Sequence, residues 1–179
     1  MKKFTNRFFA MMIIMVMVLG LGAVPAFAAA NKVIKNQDFT TERSVADRKA
    51  TVIKKGAYHV TVKSGQGYLK FKAPQKGRYT FTFSKVRTPK FGASSFVETM
   101  KVSPYNNSNI TMVDVSTKGG KYNTLWMSVN GTSFPDRELK YRPIASRTGT
   151  VSLKKGEPFY MYFYTSSGKA TFNLVIKKK

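Results

Sequence analysis

From residue 50 onward, hydrophobic and polar positions alternate with a period of two, the spacing that sends successive side chains to opposite faces of a β-strand. In Tyr79-Thr80-Phe81-Thr82-Phe83-Ser84 the rings share one face and the hydroxyls the other, as a half-buried strand requires. Ala170-Thr171-Phe172-Asn173-Leu174-Val175-Ile176 repeats the scheme. The same reading predicts strands over 51–54, 58–63, 68–72, 96–102, 110–115, 124–129, 148–153 and 159–165. Turn signals fall between them at Lys55-Gly56, Ser64-Gly65-Gln66-Gly67, 74–77, Gly119-Gly120, Asn130-Gly131, Lys155-Gly156 and Ser167-Gly168. Short strands without a long helix predict an all-β fold, a single antiparallel β-sandwich over residues 50–179.

Two stretches break the alternation. Residues 29–49 are polar and weakly periodic and read as an arm, with Ser44 and Asp47 spaced like a capping box for at most one short helix. The connection over 130–148 is the longest, holds Arg137, Lys140, Arg142 and Arg147, and has no core pattern; long connections in compact domains tend to carry function. An internal echo is also visible. Thr51-Val52-Ile53-Lys54-Lys55-Gly56 and Val151-Ser152-Leu153-Lys154-Lys155-Gly156 each lead into a strand, a Ser-Gly turn and another strand. Either a pseudo-repeat closes the two ends of the fold, or similar turns have recruited similar residues.

The N-terminus has a different pattern. Lys2, Lys3 and Arg7 precede an apolar run over 8–24, and Ala26-Phe27-Ala28 supplies small residues where a signal peptidase cuts, so residues 1–28 read as an export signal. The run is about as long as the shortest membrane-spanning helix, which leaves an uncleaved anchor as the competing reading. Pro25 and the Ala-Phe-Ala ending favour cleavage, and no second segment is long and apolar enough to span a membrane. The expected product is secreted, held to the cell wall, if at all, without a covalent bond.

Charge then narrows the classes of function. Removing Lys2, Lys3 and Arg7 from 31 Lys plus Arg leaves 28 against 8 Asp plus Glu, a formal +20 on the exported chain. The absence of Cys excludes disulfides, thiolate zinc sites, cysteine catalysis and a lipidated N-terminal Cys, and suits a bacterial surface. Catalysis has little to stand on: His59 is the single His, no Gly-x-Ser-x-Gly elbow accompanies it, and the close pair Asp136 and Glu138 flanks Arg137. Dispersed carboxylates give no zinc or calcium spacing. No metal and no cofactor are expected. Asn106-Asn107-Ser108, Asn109-Ile110-Thr111 and Asn130-Gly131-Thr132 match the glycosylation acceptor pattern and read as loop residues.

The order Tyr68-Leu69-Lys70-Phe71-Lys72-Ala73-Pro74, Lys76-Gly77-Arg78-Tyr79-Thr80-Phe81 and Val151-Ser152-Leu153-Lys154-Lys155-Gly156, followed by 159–164 and 170–176, resembles the bacterial pre-peptidase C-terminal domain. The resemblance covers residues 61–177. It implies a jelly-roll-like β-sandwich with an accessory or adhesive role, although this chain lacks the acidic side chains often found near calcium in such domains.

Candidate binding residues follow from alternation and charge. If Phe159, Met161 and Phe163 face the core, Tyr160, Tyr162 and Tyr164 form an outward strip able to stack on sugar rings or bases, or else to pack against a loop or another chain. Trp126 sits opposite Leu125, Met127 and Val129, as an exposed anchor beside Tyr122 or as core. Lys70 and Lys72, with Arg137, Lys140, Arg142 and Arg147, supply cations; the competing reading is that such lysines only solubilise the sheet. The sequence thus points to a secreted, non-catalytic binding module for an anionic polymer such as teichoic acid, acidic polysaccharide or extracellular DNA. The alternative is an accessory or adhesin-type module for a secreted protein partner. A membrane-active toxin is disfavoured because no basic amphipathic helix is evident.

Overall fold

The computed structural model describes residues 29–90, 93–127 and 146–179. The predicted leader, and Arg137, Lys140 and Arg142 with most of the long connection, lie outside the described residues. Within them the chain forms β1 (Ala30–Ile34), α1 (Arg43–Lys49), β2 (Thr51–Ile53), β3 (Gly56–Val62), β4 (Gln66–Lys72), β5 (Gly77–Arg87), β6 (Ser95–Val102), β7 (Ile110–Met112), β8 (Val115–Ser116), β9 (Lys121–Tyr122), β10 (Thr124–Met127), β11 (Arg147–Leu153), β12 (Pro158–Thr165) and β13 (Ala170–Lys178). The fold is all-β, as the alternation predicts. Among the described residues no helix is long and apolar enough to cross a membrane.

The strands make two sheets. One runs β1-β3-β13-β5-β11-β8-β9; the other runs β10-β6-β12-β4-β2, with β7 also on β6. They face each other across one core. Tyr79, Phe81 and Phe83 of β5 point inward, as do Phe159, Met161 and Phe163 of β12. Ring contacts cross between the sheets: Phe81 lies 5.4 Å from Phe71 and 4.8 Å from Phe159, and Phe163 stacks on Phe172 at 4.7 Å. Such offset and edge contacts add to the burial of large apolar rings. The two Lys-Lys-Gly turns that echo each other in sequence each carry the chain between sheets, from β2 to β3 and from β11 to β12.

Three expectations are corrected here. The pairing is not purely antiparallel, because β1 runs parallel to β3 and β2 parallel to β4. Both parallel strands are edges reached by the segment around α1, which leaves one sheet, crosses the outer face of the other, and returns to its edge. The strand predicted over 110–115 is two: Val113 bonds back to Thr99 through backbone and hydroxyl, and the chain passes there from β6 to the other sheet. Finally, Ser44 and Asp47 do not cap a helix. Glu42 is the N-cap residue, Ser44 lies in the first turn and bonds the Glu42 carboxylate, and Asp47 pairs with Arg43 and Lys70.

One irregularity shapes β5. Opposite β13, the register shifts between Thr171 and Asn173, so β5 holds one extra residue. Lys85, with φ 53°, absorbs it. The bulge keeps Val86 inward after Phe83 while Lys85 and Arg87 stay in solvent.

Candidate functional site

The tyrosine strip begins from the sequence Phe159-Tyr160-Met161-Tyr162-Phe163-Tyr164. Alternation is obeyed: Phe159, Met161 and Phe163 enter the core and the tyrosines face the other way. They are not a solvent-exposed strip, however, because residues 35–50 lie over them. Tyr160 is 0% and Tyr162 3% exposed, and both join a second cluster with Ala46 of α1, Tyr68, Met100 and Ile110. That is a correction to the outward platform, and its cause is a covering segment far away in sequence.

The cover is fastened by polar bonds. The Tyr68 hydroxyl accepts from the Thr40 N–H at 3.0 Å and donates to the Thr40 carbonyl at 2.8 Å. Lys70 reaches Asp47 at 2.6 Å and lies 5.5 Å from the Tyr160 ring centre. Phe39 meets the Tyr162 ring edge-on at 5.3 Å. The Tyr162 hydroxyl donates to Gln66 at 2.8 Å, and Gln66 in turn bonds Asp38. Burial, set against the Thr40 hydrogen bond, pushes the Tyr68 phenol up to about 12. Burial and then the Asp47 carboxylate push Tyr160 up to about 12 as well, and burial raises Tyr162 further. These phenols stay protonated and serve packing.

Tyr164 escapes full cover. It stacks on Phe96 at 5.0 Å, and Phe96 meets Trp126 at 4.8 Å, giving a half-buried aromatic row across β12, β6 and β10. Beside it, burial raises the carboxyl of Glu98 above its ordinary range. Phe96 is not among the residues that the sequence nominates; the signal for it is its place next to the inward Val97, which turns it to the other face.

The remaining predicted residues scatter. Tyr122 faces the core edge rather than standing beside Trp126 on the outside. Arg147 belongs to β11 and turns inward at 5% exposure, donating to the Trp126 carbonyl at 3.2 Å with its guanidinium 5.9 Å from the Tyr122 ring centre. It is therefore a structural cation, not a surface one. Lys70 is engaged by Asp47, and Lys72 is exposed at the end of β4. Among the described residues, the predicted ligand residues do not meet on one open surface: Lys70 lies by Tyr160 under the cover, and Arg147 meets Trp126 and Tyr122 on the inner side.

A different surface concentrates charge. Besides the inward Arg147, the strands of the seven-stranded sheet carry Lys32, Arg78, Lys85, Arg87, Lys121, Lys177 and Lys178 and not one Asp or Glu. Among the described residues, the ion pairs lie elsewhere: Arg43 and Lys70 with Asp47, and Lys101 with Glu157 at 2.8 Å. Burial works to raise the Glu157 carboxyl, but the Lys101 ammonium and the Lys154 N–H outweigh it and hold it below the usual range. Acids thus neutralise cations around the six-stranded sheet and the covering segment.

The solvent face of the seven-stranded sheet is also rich in hydroxyls. Thr80 and Thr82 of β5 lie opposite Thr150 and Thr148 of β11, and the Thr82 and Thr148 hydroxyls bond at 3.0 Å. His59 stands on the same face, 3.1 Å from Asn173, as an exposed polar residue. Every aromatic side chain of these strands turns inward, including Tyr58, Tyr79, Phe81, Phe83 and Phe172. Among the described residues no three of His, Asp and Glu gather to hold a metal ion.

No protein-family model and no curated protein matches the chain. Among solved structures, it is similar to CorA, a surface-associated copper-binding protein of Methylomicrobium album BG8, with 6% identity, a TM-score of 0.41, and coverage of 73% of this chain and 98% of that one. It is also similar to the pre-peptidase C-terminal domain of a Bacillus anthracis collagenase, with 13% identity, a TM-score of 0.37, and coverage of 72% and 94%. The second of these is a domain of the kind that the sequence motifs resemble.

Proposed function

We propose that this chain is an exported, non-catalytic binding module for an anionic polymer of the bacterial envelope or its surroundings, docked on the solvent face of the seven-stranded sheet. One observation carries the reading: that sheet's strands expose Arg78, Lys85, Arg87, Lys121, Lys177 and Lys178 and hold no acid, while the ion pairs of Arg43, Lys70 and Lys101 lie on other elements. A surface of one sign draws in polyanions by long-range attraction, and the cost of crowding like charges is relieved when such a partner binds. The exported chain's formal +20 supplies the attraction; the sheet gives it a place to act.

Counterion release makes such binding fall as salt rises. Immobilised poly(glycerol phosphate), polygalacturonate and duplex DNA should retain the protein at about 50 mM salt and release it by about 500 mM, while neutral dextran should not retain it. Retention by dextran equal to that by the anionic polymers, or insensitivity to salt, would falsify the proposal.

A further inference from the structure

Strand register places five solvent-facing side chains in one line across the seven-stranded sheet. Lys177 of β13 lies opposite Thr80 of β5, Thr80 opposite Thr150 of β11, Thr150 opposite Ser116 of β8, and Ser116 opposite Lys121 of β9. Neighbouring strands lie about 4.8 Å apart, so this line spans about 19 Å, perpendicular to the strands. It reads cation, hydroxyl, hydroxyl, hydroxyl, cation. Lys177 and Lys121 are exposed, and the three hydroxyl residues are partly so. Arg78, opposite Ser152, begins a second row beside the first.

We propose that this line is the track for a linear, acyclic polyol phosphate polymer, a proposal that rests on the anionic-polymer reading above. Three features select that chemistry. Lysine ammonium groups act as point charges, which pair with the single charge of each phosphodiester without demanding a bidentate geometry. Each Thr or Ser hydroxyl both donates and accepts, so it meets phosphate oxygens and the hydroxyls of a polyol spacer alike. Among the described residues the face has no outward Phe, Tyr or Trp, so apart from the His59 imidazole it offers no stacking platform for pyranose rings or for nucleic-acid bases. A flexible chain of phosphates and small polyols needs no such platform.

The test uses the secreted chain and four probes at fixed low salt: poly(glycerol phosphate), polygalacturonate, duplex DNA and phosphatidylglycerol vesicles. Thr80→Val with Thr150→Val keeps charge and strand propensity while deleting two central hydroxyls. It should weaken poly(glycerol phosphate) binding about tenfold, the order expected for two lost hydrogen bonds, with polygalacturonate binding and the melting temperature unchanged. Thr80→Ser with Thr150→Ser should restore it. Lys121→Gln with Lys177→Gln should weaken binding to both polymers. The inference is overturned, with the broader reading intact, if the valine pair leaves poly(glycerol phosphate) binding unchanged or if any other probe binds the wild type as tightly. If none of the anionic polymers binds at low salt, the broader reading fails with it.

Discussion

Phe81→Ala should remove about 3–5 kcal/mol of stability, read as a lower urea midpoint with an unchanged slope. The reason is position rather than residue type. Phe81 sits on β5, 2% exposed, and its ring touches Phe71 and Phe159 of the opposite sheet. Truncation leaves a void that neither sheet can fill without shifting the other, so the transfer and cavity penalties add. Domains of this size have about 5–15 kcal/mol in total, and the loss should bring part of the population to unfolding at room temperature. A change below about 1 kcal/mol would mean that the two sheets do not share this core.

Gly67→Val should dislodge the segment that covers the tyrosines. At Gly67, φ is 151°, and a Cβ would lie 2.2 Å from the Lys35 carbonyl oxygen and 2.5 Å from Ile34 Cγ2. The backbone of the crossing segment presses directly on β4 there. A side chain must push it away, and with it the bonds from Thr40 to Tyr68 and from Asp47 to Lys70. The expected loss is at least about 2 kcal/mol, with new proteolytic cuts within 35–50 and increased solvent access to Tyr160 and Tyr162. Gly168→Ala is the control, since φ there is 72° but no atom lies within 4 Å, which leaves only the conformational penalty of about 1 kcal/mol. Equal behaviour of the two variants would show that the close approach at Gly67 is not what holds the cover.

The inward sets of β5, β12 and β13 were readable because a two-residue period fixes which side chains share a face. What alternation does not specify is what lies beyond the second face. In Phe159-Tyr160-Met161-Tyr162-Phe163-Tyr164 the tyrosines do face away from the core, yet a segment more than a hundred residues earlier covers two of them. A hint was present: β12 is apolar or aromatic on both faces, the composition of a strand buried on both sides. The segment's polar look concealed its part, because Ala46 is its one fully buried apolar side chain and much of the rest is held by hydrogen bonds and the Asp47–Lys70 pair.

The charged surface was legible in amount but not in place. Net charge follows from counting, whereas segregation depends on which strands become neighbours. β3, β5, β11 and β13 are scattered along the chain and free of acids, and only pairing into one sheet sets the exposed cations of β5 and β13 beside the hydroxyls of β11. Lys70 and Lys72 were selected as strand lysines, but Lys70 met an acid that the covering segment brings. The pattern of the chain places Arg147 in a long connection, whereas it is the first residue of β11 and points inward.

Comparing two charge-matched double variants on poly(glycerol phosphate) at about 50 mM salt tests most directly whether the seven-stranded sheet is the docking surface. Arg78→Glu with Lys177→Glu alters that face; Lys49→Glu with Lys72→Glu makes the same change in net charge on exposed cations of α1 and β4. The first pair should lose at least about tenfold in affinity and the second at most about twofold. Equal weakening by both pairs would contradict a docking role for that face, because attraction would then follow total charge and owe nothing to the sheet.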